Sequence, residues 1–385
     1  MQIHFLNSNF MKVIAVLPPG LEEEGFKEID ELGGSRIKQL RRCVSFEGDL
    51  ACLFRMHLQA RLPFRLLREI SRFQCENSSQ LYQGVQQALD WHSWLNPKMS
   101  FCVNVSGSTY GLSHSHYSAL QVKNAVVDMQ RNFFGERSNI NLENPDLCLH
   151  LHLSNQGAVL SLDGSASSLH RRGYRSALGK APLKENIAAG LIRMTGWDGA
   201  SSLVDPVCGS GTFLIEAASL LMRIPPGLNR SFILENWLDF DLNLWEEEKL
   251  IAQKKIDLNI LSSTKIIGCE QDPEIAKQAR KNITSAGLSQ VITIENSHFQ
   301  HISFPQDIGT IVCNPPYGKR IGYDQDLEAL YRELGEFLKR NASSWNLWIL
   351  SGNPTLTRYL KMRANKKFPL SNGGIDCRWL NYLIN

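Results

Sequence analysis

The sequence predicts an α/β protein whose C-terminal half is a parallel sheet covered by helices on both faces, preceded by α+β regions. Three observations carry this. From residue 184 onward, helical stretches alternate with short apolar runs, the pattern of strands joined by crossover helices. Before that point, strand-period and helix-period segments are mixed without such alternation. A chain of 385 residues also exceeds what one hydrophobic core ordinarily organises. The expected partition is 1–60, 61–165, a connector 166–183 rich in Ser, Arg and Gly, and 184–385.

Taken in order, 13–17 reads as a strand, 22–32 as a helix and 44–46 as a strand. Residues 81–89 and 119–134 carry the helical period, while 101–105 and 147–153 are extended. Beyond the connector, 202–205 is a short strand opening into a Gly-rich turn and a helix over 212–222. A second strand, 265–270, leads through Asp272-Pro273 into a helix over 274–286. Between that first helix and second strand lies an acidic, Trp-containing insertion, 227–263. Residues 308–313 read as a buried strand.

Bulk properties narrow the class. Apolar residues make up 43% of the chain, and no apolar run reaches the roughly 18–20 residues that span a bilayer. The 11–17 stretch is too short for a signal peptide and meets Pro18-Pro19. Nine cysteines without a C-x-x-C, several inside apolar segments as Cys102 and Cys313 are, imply reduced, buried thiols and a cytoplasmic setting. His150 and His152 fall at strand period, and neither they nor His114 and His116 have partners at ligand spacing, so no metal site is expected. The net charge of +3 is unevenly spread. Nine basic residues stand between Arg36 and Arg72, a second group is Arg171, Arg172, Arg175, Lys180 and Lys184, and a third is Arg358, Lys361, Arg363, Lys366 and Lys367. Residues 235–248 hold six acids and no base. Such segregation predicts basic faces able to track phosphates.

Three short segments carry the chemistry. Asn314-Pro315-Pro316-Tyr317 closes the 308–313 strand. The Asn314 amide oxygen can accept one N–H of an exocyclic amino group. The Pro315 carbonyl can accept the other, because consecutive prolines hold the backbone extended and bring no competing N–H. Tyr317 offers a face on which a base can stack. Taken singly, the tetrapeptide is better read as an ordinary Pro-rich turn after a strand. Upstream, Asp205-Pro206-Val207-Cys208-Gly209-Ser210-Gly211-Thr212 is a strand end, a Gly-rich turn and a helix start, and its glycines allow close backbone approach to a ligand. It is no phosphate loop, since no Gly-Lys-Ser/Thr follows, and it lacks the G-x-G-x-x-G spacing. An acid just before the glycines, Asp205, suits the cationic amino-acid end of S-adenosylmethionine. Glu270, at the tip of the second strand, can accept both hydroxyls of a ribose. Asp272 before Pro273 reads first as a helix cap.

These residues together resemble the THUMP-domain RNA methyltransferases. The similarity is greatest to the bacterial large-subunit ribosomal RNA guanine-N2 methyltransferases, in the half that carries the THUMP domain. It rests on Asp205 through Ala218, on Gly268-Cys269-Glu270-Gln271-Asp272 and on Asn314-Pro315-Pro316-Tyr317-Gly318. It extends to Leu169-His170-Arg171-Arg172-Gly173-Tyr174-Arg175 with Ala181-Pro182-Leu183-Lys184-Glu185, to the segment 115–128, and to 372–377 with Tyr382. The resemblance implies ferredoxin-like and THUMP regions before a Rossmann-like methyltransferase domain, with S-adenosylmethionine as cofactor. It implies a cofactor set of Asp205, Pro206, Cys208, Gly209, Ser210, Gly211, Thr212, Glu270, Asp272 and His298, and a catalytic set of Asn314, Pro315, Pro316 and Tyr317. Arg171, Arg172, Arg175 and Lys123 would contact RNA. The implied partner is ribosomal RNA or an assembly intermediate, met by a monomer in the cytoplasm, with the target base single-stranded or flipped out. One position departs from the family: where an Asp usually contacts the cofactor's adenine, this chain has His298, with Ser297 and Asn296 beside it. The residues leave open a transfer RNA guanine or an adenine N6 as target, and also an RNA-binding or ribosome-assembly factor whose catalysis has decayed.

Overall fold

The computed structural model describes residues 10–165, 167–175, 183–261, 263–317 and 326–385. They form two units: Met1–Val16, Glu28–Leu169 and Gly227–Leu250 in the first, and Leu17–Lys27, His170–Pro226 and Ile251–Asn385 in the second.

In the first unit, the strands are β1 (Met11–Val16), β2 (Ser35–Leu40), β3 (Cys43–Gly48), β4 (Arg65–Phe73), β5 (Ser100–Gly107), β6 (Asn139–Ile140), β7 (Leu147–Ser154) and β8 (Gly157–Asp163). They pair in the order β2-β3-β1-β4-β8-β7-β5-β6. Helices Glu22–Glu31 and Leu50–Gln59 follow β1 and β3, so the chain runs βαββαβ with β1 between β3 and β4, a ferredoxin-like arrangement. The alternation that predicted β1 is visible in burial of Val13 and Ala15. β4 went unpredicted because three arginines interrupt its apolar pattern, and β8 because it is buried along its whole length and shows no alternation.

Those arginines are paired. Arg65 meets Asp163, Arg68 meets Asp239 at 2.5 Å and Arg72 meets Glu69 at 3.0 Å. Arg36 meets Glu47 at 3.0 Å, and Arg55 grips both carboxylate oxygens of the buried Glu248. Five of the nine cations expected to track phosphates over 36–72 are thus paired with carboxylates. Two of those carboxylates, Asp239 and Glu248, come from the acidic insertion. The insertion also packs Phe240 and Trp245 on Phe54, each with ring centroids 5.3 Å apart, and sets Phe232 edge-on to His57.

The second unit's strands are β9 (Leu203–Asp205), β10 (Ile266–Cys269), β11 (Ile292–Glu295), β12 (Thr310–Cys313), β13 (Asn346–Ser351), β14 (Lys366–Asn372) and β15 (Ile375–Leu383), in the order β11-β10-β9-β12-β13-β15-β14. The first five in that order run parallel, and the hairpin β14–β15 closes the sheet antiparallel. Successive residues feed opposite cores. Leu203, Val312 and Leu350 join one with Ile192, Leu214 and Ile283, while Val204, Ile311 and Ile349 join another with Leu334, Phe337 and Leu338. Helices therefore cover both faces, as the alternating pattern predicts. No helix among the described residues is long and apolar enough to cross a membrane. All nine cysteines are free thiols, and only Cys43 is not buried.

His57 is 1% exposed, with Nδ1 2.9 Å from the Leu53 carbonyl oxygen, and burial pushes its pKa down from 6.5 to about 4. The unfolded chain binds this proton more tightly, so the penalty is absent above about pH 6.5 and grows as pH falls toward 4. Between pH 7 and 4 it should remove about 3 kcal/mol of stability. Chemical denaturation across that range checks this, because His57→Leu should lose that much less than the parent chain.

Candidate active site

The parallel pairing fixes where the chemistry-bearing segments end. β9 is flanked by β10, with Gly268 opposite Asp205, and by β12, with Ile311 opposite Val204. The chain steps outward from β9 to β10 and β11, then returns to β12 on β9's other side. This reversal of strand order is where open α/β sheets leave a crevice beyond the strands' carboxyl ends. Asp205, Glu270, Asn296–His298 and Asn314 all stand at that edge.

Gly209 and Gly211 have φ of +53° and +79°, a region that side chains rarely tolerate, and no atom of the described residues lies within 4 Å of a Cβ built at Gly209. The turn is fixed from behind. Cys208 N–H donates to the Cys269 carbonyl at 2.9 Å, Gly211 N–H to the Cys208 carbonyl at 2.9 Å, and Asn282 Nδ2 to the Ser210 carbonyl at 3.1 Å. Pro206 and Thr212 are buried, and Thr212 Oγ1 lies 3.3 Å from Ser210 Oγ. Asp205 is 2% exposed and accepts from Val207 N–H at 3.1 Å. Burial pushes its carboxyl well above the usual range, and the nearby Glu270 charge adds to this. Glu270 accepts from Gly209 N–H at 3.1 Å and from Asp272 N–H at 2.9 Å, with burial again raising its pKa. A carboxylate has about four acceptor positions, so these backbone bonds leave acceptor capacity on Glu270 for a ribose hydroxyl. The open side of Gly209 and this spare capacity fit the ribose and amino-acid ends of S-adenosylmethionine.

Asp272 serves as the cap that its Pro273 neighbour predicts, its Oδ1 accepting from Glu274 and Ile275 N–H. Asn296 is committed to the Glu270 and Gln271 carbonyls at 2.9 and 3.2 Å. His298 opens a short 3-10 turn, its ring centroid 4.2 Å from that of Phe299 and its Nδ1 accepting from Gln300 N–H.

Asn314 follows β12 directly, and its Oδ1 is shielded from solvent with no hydrogen-bond partner among the described residues. Pro315 is buried and Pro316 half-buried. The Tyr317 hydroxyl accepts from Asn372 Nδ2 at 3.1 Å and lies 3.6 Å from Cys377 Sγ, so the closing hairpin holds it. Gly352 lies against the ring, and a Cβ there would come within 2.9 Å of Cδ2 and Cε2. The sequence gives no sign of this tether, which joins residues far apart in the chain. Gly318, like Lys180, Ala181 and Pro182, lies outside the described residues.

Arg172 and Arg175 are placed differently from the expectation that they contact RNA. The side chain of Arg172 is 6% exposed, with Nε 3.9 Å from Glu216, a carboxylate also bound by the Tyr174 hydroxyl at 3.2 Å. Arg175 pairs with Glu185 at 3.3 Å and donates to Thr212 Oγ1 at 2.7 Å and the Leu183 carbonyl at 2.6 Å. Arg172 thus braces the helix that begins at Thr212, and Arg175 joins the start of that helix to helix Glu185–Thr195, because the buried Glu216 and Glu185 require counter-charges. Arg171 is exposed, and Lys123 is half-buried on helix Ser115–Phe134.

Comparison with known proteins matches residues 172–381 to an RMKL-like methyltransferase domain, 75–163 to the THUMP domain and 12–67 to the RlmL ferredoxin-like domain. A Synechocystis sp. protein described as a candidate RNA methyltransferase is 38% identical over 96% of this chain and 95% of its own length. The ribosomal RNA large subunit methyltransferases K/L of Cellvibrio japonicus and Syntrophotalea carbinolica are 37% and 36% identical over 96% and 97% of this chain. The chain spans about half of those two proteins, 51% and 54%. Among solved structures, a candidate methyltransferase in complex with S-adenosylhomocysteine aligns at TM-score 0.87 and 28% identity, over 98% of this chain and 99% of that one. A Listeria monocytogenes protein named as a predicted N6-adenine-specific DNA methylase aligns at TM-score 0.86 and 29% identity, over 98% of this chain and 97% of that one.

If Arg172 is a brace, Arg172→Ala should cost about 3 kcal/mol by leaving Glu216 buried beside a lost cation. Denaturant titration reads this directly. A surface RNA contact would instead leave stability within about 0.5 kcal/mol of the parent.

Proposed function

The chain belongs to the RMKL-like methyltransferase family, and from that premise we propose that it methylates the exocyclic N2 amine of a guanine in large-subunit ribosomal RNA, using S-adenosylmethionine. The observation that carries the reading is the shielded Asn314 Oδ1 at the end of β12, which has no hydrogen-bond partner among the described residues. Leaving a buried acceptor unmet costs about 1–3 kcal/mol, and an incoming amine N–H removes that cost. The Pro315 carbonyl takes the second N–H, since Pro315-Pro316 supply no donor of their own. Together these acceptors draw the nitrogen lone pair out of the ring and favour the positive charge that develops on nitrogen, a fixed-dipole stabilisation of the transition state. S-adenosylmethionine, when bound, supplies an electrophilic methyl group on a sulfonium.

Glu270 holds the ribose hydroxyls, Asp205 the cationic amino-acid end and the turn Cys208–Thr212 the intervening backbone approach. Asp272 orients Glu270 through its own N–H. The adenine contact falls to His298 or Ser297. No general base is assigned, because the amine proton can depart to solvent after transfer. Support for RNA comes from the THUMP match, and support for the ribosomal target from the K/L relatives. The acceptor pair by itself would also hold an adenine N6.

Asn314→Ala should lower kcat by about 10²–10³ while calorimetric affinity for S-adenosylmethionine stays near that of the parent. Equal loss of both would remove Asn314 from its role. The substrate is checked by mass spectrometry of nucleosides from ribosomal and transfer RNA of cells with and without the gene. N2-methylguanosine should fall in large-subunit ribosomal RNA. A loss confined to transfer RNA or to N6-methyladenosine would move the activity to that substrate.

A further inference from the structure

Building on the RNA reading above, we propose that a cationic cleft beside Tyr317 holds the phosphodiester backbone of the RNA strand flanking the target nucleotide. Its floor follows from strand register. Lys367 pairs with Leu380, Pro369 with Arg378 and Ser371 with Asp376, so these six share one face of the β14–β15 hairpin. Phe368 and Trp379 alternate onto the opposite face, where both rings pack on Trp348. The first face lines a cavity of about 1110 Å³, whose other walls include Gly352, Arg358 and Arg363 from the chain after β13. That exceeds the roughly 300–1,000 Å³ usual for small-molecule sites and suits a stretch of polymer.

The charges of this cleft are arranged unlike those of the first unit. Arg358, Arg363, Lys367 and Arg378 line it against one carboxylate, Asp376. All four cations are exposed, and among the described residues none has a carboxylate ion-pair partner. Protection of the sheet edge would explain Lys367 on the outermost strand. It does not explain Arg378, which sits on β15 between β13 and β14, or Arg358 and Arg363, which lie outside the strands. Repulsion among four neighbouring cations is relieved by a polyanion that displaces their counterions. The cleft also shares its lining with the aromatic ring: Gly352 packs on Tyr317, and Cys377 reaches its hydroxyl. A strand running from a base on that ring past Gly352 would bring its phosphates to these side chains.

The test uses the full chain and the Arg358→Ala/Arg363→Ala/Arg378→Ala variant, with Arg→Lys at the same positions as the charge-retaining control. Binding of a short, labelled oligouridylate is followed against salt, and methylation is followed on large-subunit ribosomal RNA from cells lacking the gene. The alanine variant should bind at least about tenfold more weakly, with a slope of log K against log salt shallower by about 2. KM for RNA should rise while kcat and S-adenosylmethionine affinity hold, and the lysine variant should restore the slope. An unchanged slope and KM in a chain that does methylate RNA would overturn the cleft alone. A reduced slope in a chain that methylates no RNA would leave the cleft standing and overturn the RNA-substrate reading.

Discussion

The candidate site depends on the parallel pairing of β9 with β10 on one side and β12 on the other. These strands are only three or four residues long, so backbone pairing alone holds them weakly. Their register is set by the two cores they feed. A slip of one residue would exchange the layers and bury Asp205, Glu270 and Asn314 on the wrong sides. Segregation of side chains into two packed layers thus brings three polar residues, far apart in the chain, to a single edge. Glu270 then ties that edge together by accepting from the Gly209 backbone.

Much of this was legible because the signals are local. The Gly-x-Gly turn, the Asp272-Pro273 cap and the Asn-Pro-Pro-Tyr end each announce a backbone geometry within a few residues. The parallel sheet was legible from alternation over longer windows, although β4 and β8 escaped for lack of a period. What stayed hidden was pairing at a distance. Arg172 and Arg175 read as a basic cluster because their counter-charges, Glu216 and Glu185, announce themselves only when the helices that carry them are folded. The tether of the Tyr317 hydroxyl to the closing hairpin was hidden for the same reason, since Asn372 and Cys377 lie more than fifty residues on.

Charge in the sequence is a poor guide to charge on the surface here. The first basic segment is the densest, yet much of it is neutralised by Glu47, Glu69, Asp163 and the acids of the insertion. Residues 235–248, with six acids and no base, look like a solvated loop but supply Asp239 and Glu248 to Arg68 and Arg55. Their tryptophans serve the same end. Arg68 lies over Trp237 at 5.7 Å, and Trp245 is buried against Phe54. By contrast, among the described residues Arg358, Arg363, Lys367 and Arg378 have no carboxylate ion-pair partner.

That insertion also bears on how such a chain can be inherited. Residues 227–250 fold with the first unit although the sequence on either side folds with the second, and residues 17–27 make the reverse exchange. A recombination breakpoint in the connector would separate Phe232, Phe240 and Trp245 from Phe54 and His57, leaving aromatic surface bare on one product and a hole in the other. Swapping the N-terminal region for another RNA-binding module would require replacing a second, distant stretch of gene in the same event. Two regions that look like interchangeable cassettes along the sequence are therefore bound to evolve as one.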